Sequence, residues 1–300
     1  MSQPQPLERD FRLSEALCSF LRAREQNPHI CYAQVFPAVM YRSFPASLYL
    51  LSHRIFRAVA GGAQALFEGF WMGLLTESVY DAISEMSYGE GKQYTNAPYL
   101  DRGFHFWEEL AVRKYFSPGS RVLVAAAGGG RELIALARSG YVAAGFECSR
   151  AMVAAGRLAL AERGIAAALD WSPPCVAPRM EGHFDALIVG WNGYSYISPR
   201  ARRVAFMKSL RERLQPGSPV LVSMAMRLPA ARVLTWTPRI ANLVRILTLR
   251  APVFEAGDSF AGRPKMHFTR RQMERELTDA GFSIVTHYEW GGYGAVVARS

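Results

Sequence analysis

The chain has little of what builds covalent or metal-held scaffolds. Its four cysteines, Cys18, Cys31, Cys148 and Cys175, are scattered through 300 residues without a CxxC or Cys/His ligand spacing. Neither a disulfide framework nor a zinc site is indicated, and a reducing cytoplasm is the expected compartment. Internal repeats and low-complexity tracts are also missing. The most apolar stretch, residues 47–76, is interrupted by His53, Arg54, Arg57 and Glu68, which a spanning helix would bury at several kcal/mol. The opening MSQPQPLERD lacks the basic flank and apolar core of a secretory signal. No membrane span is therefore expected.

What is present is a large apolar fraction, 50% of residues, and an excess of cations giving a net charge of +10. The first supplies a sizeable core. The second would concentrate phosphates, nucleic acids or acidic membrane surfaces if the charges clustered, but most are arginines spread over helical segments, which favours a solvated surface. Nucleic acid remains a partner that the basic balance allows, while a small molecule is the favoured one.

The pattern changes near residue 118. Before it, Leu48, Leu51, Ile55 and Val59 share a helical face, Gly61-Gly62 reads as a break, and an aromatic-rich helix resumes through Leu66, Phe70 and Met72. Thr76 can cap a further helix through Val79, Ile83 and Met86, and a loop containing Tyr94, Asn96 and Tyr99 precedes a helix over 106–116. Residues 1–103 thus form a helical N-terminal extension, and 104–300 a second domain. From residue 117, short apolar runs alternate with amphipathic helices, the rhythm of a parallel sheet with crossover helices. Strands are expected at 121–126, 141–146, 166–170, 184–189 and 219–224, with helices at 131–139, 151–163 and 200–214. Thr269 and Gln272 make a capping box for a helix to Ala280, and runs at 282–289 and 293–298 flank Gly291-Gly292 as a hairpin. The expected fold class is α/β: a Rossmann-like, seven-stranded, mostly parallel sheet with an antiparallel C-terminal hairpin and a helical appendage. Residues 227–265 interrupt the scheme with an Arg-rich insertion carrying a helix over 239–250. Lying after the fifth strand, on the carboxyl edge where open α/β sheets bind ligands, it reads as a substrate lid.

The chemistry-bearing residues concentrate at the first two strand ends. Ala126, Ala127, Gly128, Gly129 and Gly130 follow a strand and open a helix, allowing a tight turn and close backbone approach to a ligand at the helix N-terminus. Glu147 ends the second strand 17 residues after Gly130, where a carboxylate can accept both hydroxyls of a ribose. This segment, VLVAAAGGGRELIALARSGYVAAGFECS, resembles motif I and the acidic second-strand end of class I S-adenosylmethionine-dependent methyltransferases, a resemblance running from about Phe104 to the C-terminus. Two positions depart from the usual pattern: Val124 replaces the acid within the strand and Ala126 the first glycine. An alanine suits the turn if its φ stays negative. The missing acid shifts the methionine end of the cofactor onto other groups, with Tyr94, Asn96, Tyr99 and Arg131 as candidates, the guanidinium pairing with the cofactor carboxylate.

The resemblance implies S-adenosylmethionine as cofactor, S-adenosylhomocysteine as product and methyl transfer to an O or N atom of an acceptor. It places Cys148 beside the ribose carboxylate, Asp170 and Trp171 at the adenine, and Trp191, Asn192 and Tyr194 near the transferable methyl. In-line displacement at a sulfonium carbon requires alignment, exclusion of water and, for hydroxyl acceptors, a base. Asn192 and Tyr194 are the candidate orienting groups and His267 the candidate base, with His105 second. The aromatic Gly69-Phe70-Trp71-Met72-Gly73 segment resembles helical extensions of uncharacterised bacterial methyltransferases. A nucleic-acid methyltransferase and a cofactor-binding module without turnover remain the alternatives, while an aminopropyl transferase is disfavoured because this chain lacks an evident acidic cluster to receive a polyamine. The motifs leave oligomeric state open.

Overall fold

The computed structural model describes residues 44–89, 92–228 and 233–300. Cys18, Cys31 and the first 43 residues of the expected N-terminal extension lie outside these residues. The chain divides into two compact units, Met1–Ile55 and Phe56–Ser300. In the first, the described part is helix up to Ile55, with Leu48, Tyr49, Leu50 and Leu51 exposed.

Helix α1, Phe44–Leu74, runs unbroken through Gly61 and Gly62. Gly61 and Gly62 are carried inside the helix without a tight contact of their own, while further along a Cβ on Gly69 would lie 2.7 Å from Ile240 Cβ and one on Gly73 2.5 Å from the Ala241 carbonyl oxygen. Close helix contact outweighs the propensity cost of about 1 kcal/mol per glycine. Helix α2 is Glu77–Gly89. A short turn at Lys92–Tyr94 and the four-residue α3, Ala97–Leu100, lead to α4, Phe106–Tyr115.

The sheet follows the expected alternation: β1 Arg121–Ala125, α5 Arg131–Arg138, β2 Val142–Glu147, α6 Arg150–Glu162, β3 Ala168–Trp171, β4 Ala186–Val189, α7 Arg200–Arg211 and β5 Pro219–Ala225. After the insertion, α8 Val233–Leu247 with strands β6 Asp258–Phe260 and β7 Pro264–Met266, come α9 Arg270–Asp279, β8 Ser283–Trp290 and β9 Tyr293–Arg299. The strand order is β3-β2-β1-β4-β5-β9-β8, with β9 antiparallel to both its neighbours and the others parallel. Helix α9 begins with the expected capping box of Thr269 and Gln272. In β1, Leu123 and Ala125 pack into one layer with Phe146 and Leu187, while Val122 and Val124 pack into the opposite layer with Ile188 and Leu221. A strand covered on both faces reads as a continuous apolar run, as it does here.

The insertion differs from its expected form. Its helix starts at Val233 and ends at Leu247, and a hairpin of two three-residue strands, β6 and β7, follows. Strands that short carry no readable period. Beneath them Arg203, fully buried, bonds to Glu276 at 2.8 Å and approaches Asp258 at 3.5 Å, fastening the hairpin to α7 and α9.

Candidate functional site

The order of the strands reverses between β1 and β4, because β2 and β3 lie on one side of β1 and β4, β5 on the other. Open α/β sheets bind ligands at that switch, beyond the carboxyl ends of the strands. A cavity of about 330 Å³ occupies this place, lined among others by Gly128, Glu147, Asn192, Tyr196 and Lys265.

On the β1–β2 side the wall is mostly backbone. The turn after β1 carries Ala126 at φ 53°, Gly128 at φ 54° and Gly130 at φ 92°. The alanine therefore adopts the left-handed conformation that its side chain disfavours by roughly 1–2 kcal/mol, correcting the expectation of a negative φ. Its methyl fits because Gly193 faces it, where an added Cβ would come within 2.6 Å. Gly129 lies against the N-terminal loop so closely that a Cβ would stand 2.5 Å from the Tyr94 carbonyl oxygen.

Glu147 closes this wall. One carboxylate oxygen accepts the N–H groups of Cys148 at 2.7 Å and Ser149 at 3.0 Å, and the other accepts the Gly128 N–H at 2.9 Å. The carboxylate is thus pinned across the glycine turn and at the start of α6, where amide dipoles favour an anion. Oε2, with the Gly128 N–H as its one donor, keeps acceptor capacity toward the cavity. Burial pushes the Cys148 thiol up, with the Glu147 charge adding to it. It lines the cavity as a neutral group.

The expected residues divide clearly. Tyr94, Ala126, Ala127, Gly128, Glu147, Cys148, Trp191 and Asn192 line the cavity together with Tyr99. Gly130 shapes the turn from behind, at the N-cap of α5. Arg131 does not reach the cavity. Its buried guanidinium bonds to both oxygens of Glu108 at 2.7 and 2.8 Å, to Glu132 at 2.6 Å and to the Gly103 carbonyl at 2.7 Å. Against the cost of burial, the two carboxylates hold that guanidinium charged, so it ties α4 and α5 together and is not available to a cofactor carboxylate. Arg102 and Glu132 line the cavity instead.

Asp170 is half-exposed and paired with Arg157 at 2.8 Å, outside the cavity lining. The Trp171 ring is covered by the Arg150 guanidinium at 3.6 Å and its Nε1 donates to the Cys148 carbonyl. Ser172, Pro173 and Pro174, just beyond β3, form that part of the wall, because the strand's side chains point to its two faces and the chain after it turns inward.

Tyr194 is fully buried, stacked on Phe268, and donates to Glu276 at 2.7 Å. The short turn Gly193–Tyr196 instead brings Tyr196 to the cavity. The signal for it, an aromatic two positions later in the same loop, was in the sequence. His267 also lies off the cavity lining; burial, with Lys265 adjacent, lowers its pKa. His105 packs between Trp107 and Trp191, and burial with the nearby Arg131 and Arg102 charges pulls it from 6.5 to about 3. Both histidines are neutral near pH 7, and neither lines the cavity.

On the β4–β5 side the wall is made of side chains. Asn192, at φ 56°, is buried; its backbone N–H donates to Ser223 at 3.1 Å, and its Oδ1 has no hydrogen-bond partner among the described residues. Tyr196 accepts from Arg263 at 3.0 Å. Lys265, on β7, stands 5.7 Å from the Tyr196 ring with no carboxylate partner among the described residues. Burial and the Arg263 charge lower its pKa. Across from it, Arg202 holds Asp81 of α2 with two contacts of 2.9 Å. None of the described residues forms a cluster that could hold a metal ion.

No protein-family model matches the chain, and no curated protein matches it in sequence. Solved structures do match in fold. A SAM-dependent methyltransferase from Methanosarcina mazei is 16% identical with a TM-score of 0.54, over 66% of this chain and 98% of that one. The CcbJ methyltransferase from Streptomyces caelestis is 15% identical with a TM-score of 0.52, over 71% and 97%. An S-adenosylmethionine-dependent methyltransferase from Clostridium acetobutylicum is 12% identical with a TM-score of 0.53, over 69% and 96%. The chain shares the Rossmann-like fold of these enzymes, with the seven-stranded sheet and antiparallel end expected of class I methyltransferases.

Proposed function

We propose that this protein binds S-adenosylmethionine and transfers its methyl group to an O or N atom of a small-molecule acceptor. The observation that carries the reading is Glu147: a carboxylate at the end of β2, held by the backbone N–H groups of Gly128, Cys148 and Ser149 and facing a cavity at the switch point of the sheet. Its remaining lone pairs suit the two hydroxyls of a ribose. Two further features fit such a ligand. The glycine turn leaves room for close backbone approach, and the unpartnered Asn192 Oδ1 offers an acceptor for an N–H or O–H.

When bound, the cofactor supplies an electrophilic methyl on a sulfonium, and the protein's task is to align, dehydrate and manage one proton. Met152 and Ser172–Pro174 suit the adenine end. Arg102 and Glu132 suit the carboxylate and ammonium of the methionine end, in place of Arg131 and of the acid missing at Val124. Asn192 and Tyr196 orient the acceptor. Lys265, whose lowered pKa favours release of its proton, takes up the proton of a hydroxyl or amine acceptor. The cavity, of about 330 Å³, falls within the range for small-molecule sites.

Calorimetric titration of the full chain with S-adenosylmethionine and S-adenosylhomocysteine tests the reading. Saturable binding of either is expected, and binding of neither would remove its basis.

A further inference from the structure

The cavity does not use α8 or the C-terminal half of α1, and there the surface is unusual. The contacts of α1 advance in step along α8: Gly61 lies against Val233, Gly69 against Thr237 and Ile240, and Gly73 against Ala241 and Val244. The two helices therefore run parallel, packed through the small residues Gly61, Ala65, Gly69 and Gly73 at four-residue spacing. Their undersides share one buried cluster, in which Met72 of α1 and Ala241 of α8 meet Phe254, Phe260 and Tyr80. Glu68 points the same way and accepts the Phe260 N–H at 3.2 Å.

With 3.6 residues per turn, the stripe opposite that cluster on α1 is Phe56, Val59, Leu66, Phe67, Phe70 and Leu74, and on α8 it is Trp236, Leu243, Ile246 and Leu247. All ten are exposed, Phe67 to 67% and Leu247 to 73%. Because the helices are parallel and both stripes lie opposite the shared cluster, they form one continuous face. By exposed fraction it presents on the order of 1,000 Å² of apolar surface, above the few hundred found on ordinary monomers.

The charge around this face has one sign. Arg57 and Arg239 are exposed, Arg239 with its guanidinium 5.1 Å from the Trp236 ring, whereas Arg245 turns beneath α8 over Phe254 and Arg250 donates to the Gly73 and Leu74 carbonyls at the end of α1. Residues 56–74 contain one acid, the buried Glu68, and residues 233–250 contain none. No described helix is long and apolar enough to cross a membrane. We infer that the paired α1 and α8 helices dock this protein, lying flat, on a lipid bilayer that carries anionic headgroups. An apolar face with aromatic anchors enters the acyl boundary, and Arg57 and Arg239 meet the lipid phosphates. Tyr80 belongs both to the cluster beneath this face and to the cavity lining, so docking sets the cavity one packed layer from the bilayer.

The test is co-sedimentation of the full chain with vesicles of phosphatidylcholine, alone or with about 30% phosphatidylserine, where binding at least about tenfold tighter to the mixed vesicles is expected. That preference should shrink as salt is added. Two double variants probe the face: Phe67→Ser with Leu243→Ser, and Arg57→Glu with Arg239→Glu. Each should weaken binding to mixed vesicles at least about tenfold. None of the four side chains lies in the α1–α8 contact, so melting temperatures near that of the parent check folding, and the charge variant removes no apolar contact. Absence of binding to either vesicle at low salt would overturn the inference, as would binding that survives both variants. So would a dimer that the Phe67→Ser, Leu243→Ser change dissociates in a chain that ignores vesicles, since the face would then belong to a second copy.

Discussion

The two walls of the cavity are built on different terms. On the β1–β2 side, a glycine turn and one carboxylate satisfy each other through backbone N–H groups, within residues 126–149. On the β4–β5 side, Asn192, Tyr196, Lys265 and Arg202 converge from separate segments, and Asn192 Oδ1 and the Lys265 ammonium lack polar side-chain partners among the described residues. The first wall is preorganised before anything binds. The second holds polar groups whose partners a ligand supplies, the arrangement expected where an acceptor varies and a cofactor does not.

Behind each wall sits a buried arginine hub, and removing these should give the largest effects. Arg131→Met strands Glu108 and Glu132, and Arg203→Met strands Glu276; each should cost about 3–5 kcal/mol of stability in urea unfolding. If the walls are separate structural units, the Arg131 change should also weaken cofactor binding in the folded fraction while the Arg203 change leaves it intact. Equal loss in both would merge them.

The Lys265→Met variant should divide the walls by function. Cofactor affinity should hold while kcat falls about a hundredfold, within the range for a lost proton acceptor. The parent's rate should rise with pH as Lys265 deprotonates below the ordinary lysine range, and the variant should lose that limb. A pH profile unchanged by the substitution would take Lys265 out of proton transfer.

Two smaller effects test the first wall alone. His105 binds a proton below pH 6.5 when unfolded but only near 3 when folded, so its contribution to stability is complete above 6.5 and is lost as pH falls toward 3. The melting temperature of the parent should therefore fall relative to that of His105→Phe as pH drops from 6.5 toward 3. A parent that gains on the variant with acidification would contradict this. Smallest of all, Ala126→Gly relieves a left-handed alanine and should raise stability by up to about 1 kcal/mol, after the entropy that glycine adds to the unfolded chain. Destabilisation would show that the alanine methyl packs to advantage against Gly193.

The same contrast explains what the sequence made legible. The strands from 121 onward, the Thr269 capping box and the Glu147 site rest on local signals: apolar runs, turn residues and a fixed distance from the glycines to the acid. Lys265 has no such signal, because its place depends on tertiary structure, the packing of the β6–β7 hairpin against the turn after β4. Tyr194, Arg131, Asp170 and Trp171 sit where the resemblance led one to look, yet each is claimed by a partner contributed by another part of the fold: Glu276, Glu108, Arg157 and Arg150. The helix through Gly61 and Gly62 misled because the packing of its later turns on α8, close at Gly69 and Gly73, holds the whole helix together, and that packing is not a local signal.

The central claim is that Glu147 anchors a ribose-bearing cofactor. Calorimetry with S-adenosylmethionine on the parent and on Glu147→Ala measures it most directly. Loss of one charged hydrogen-bonding group predicts an affinity lower by about 1.5–3 kcal/mol, roughly ten- to a hundredfold or more. An unchanged dissociation constant, in a variant that melts as the parent does, would contradict the account.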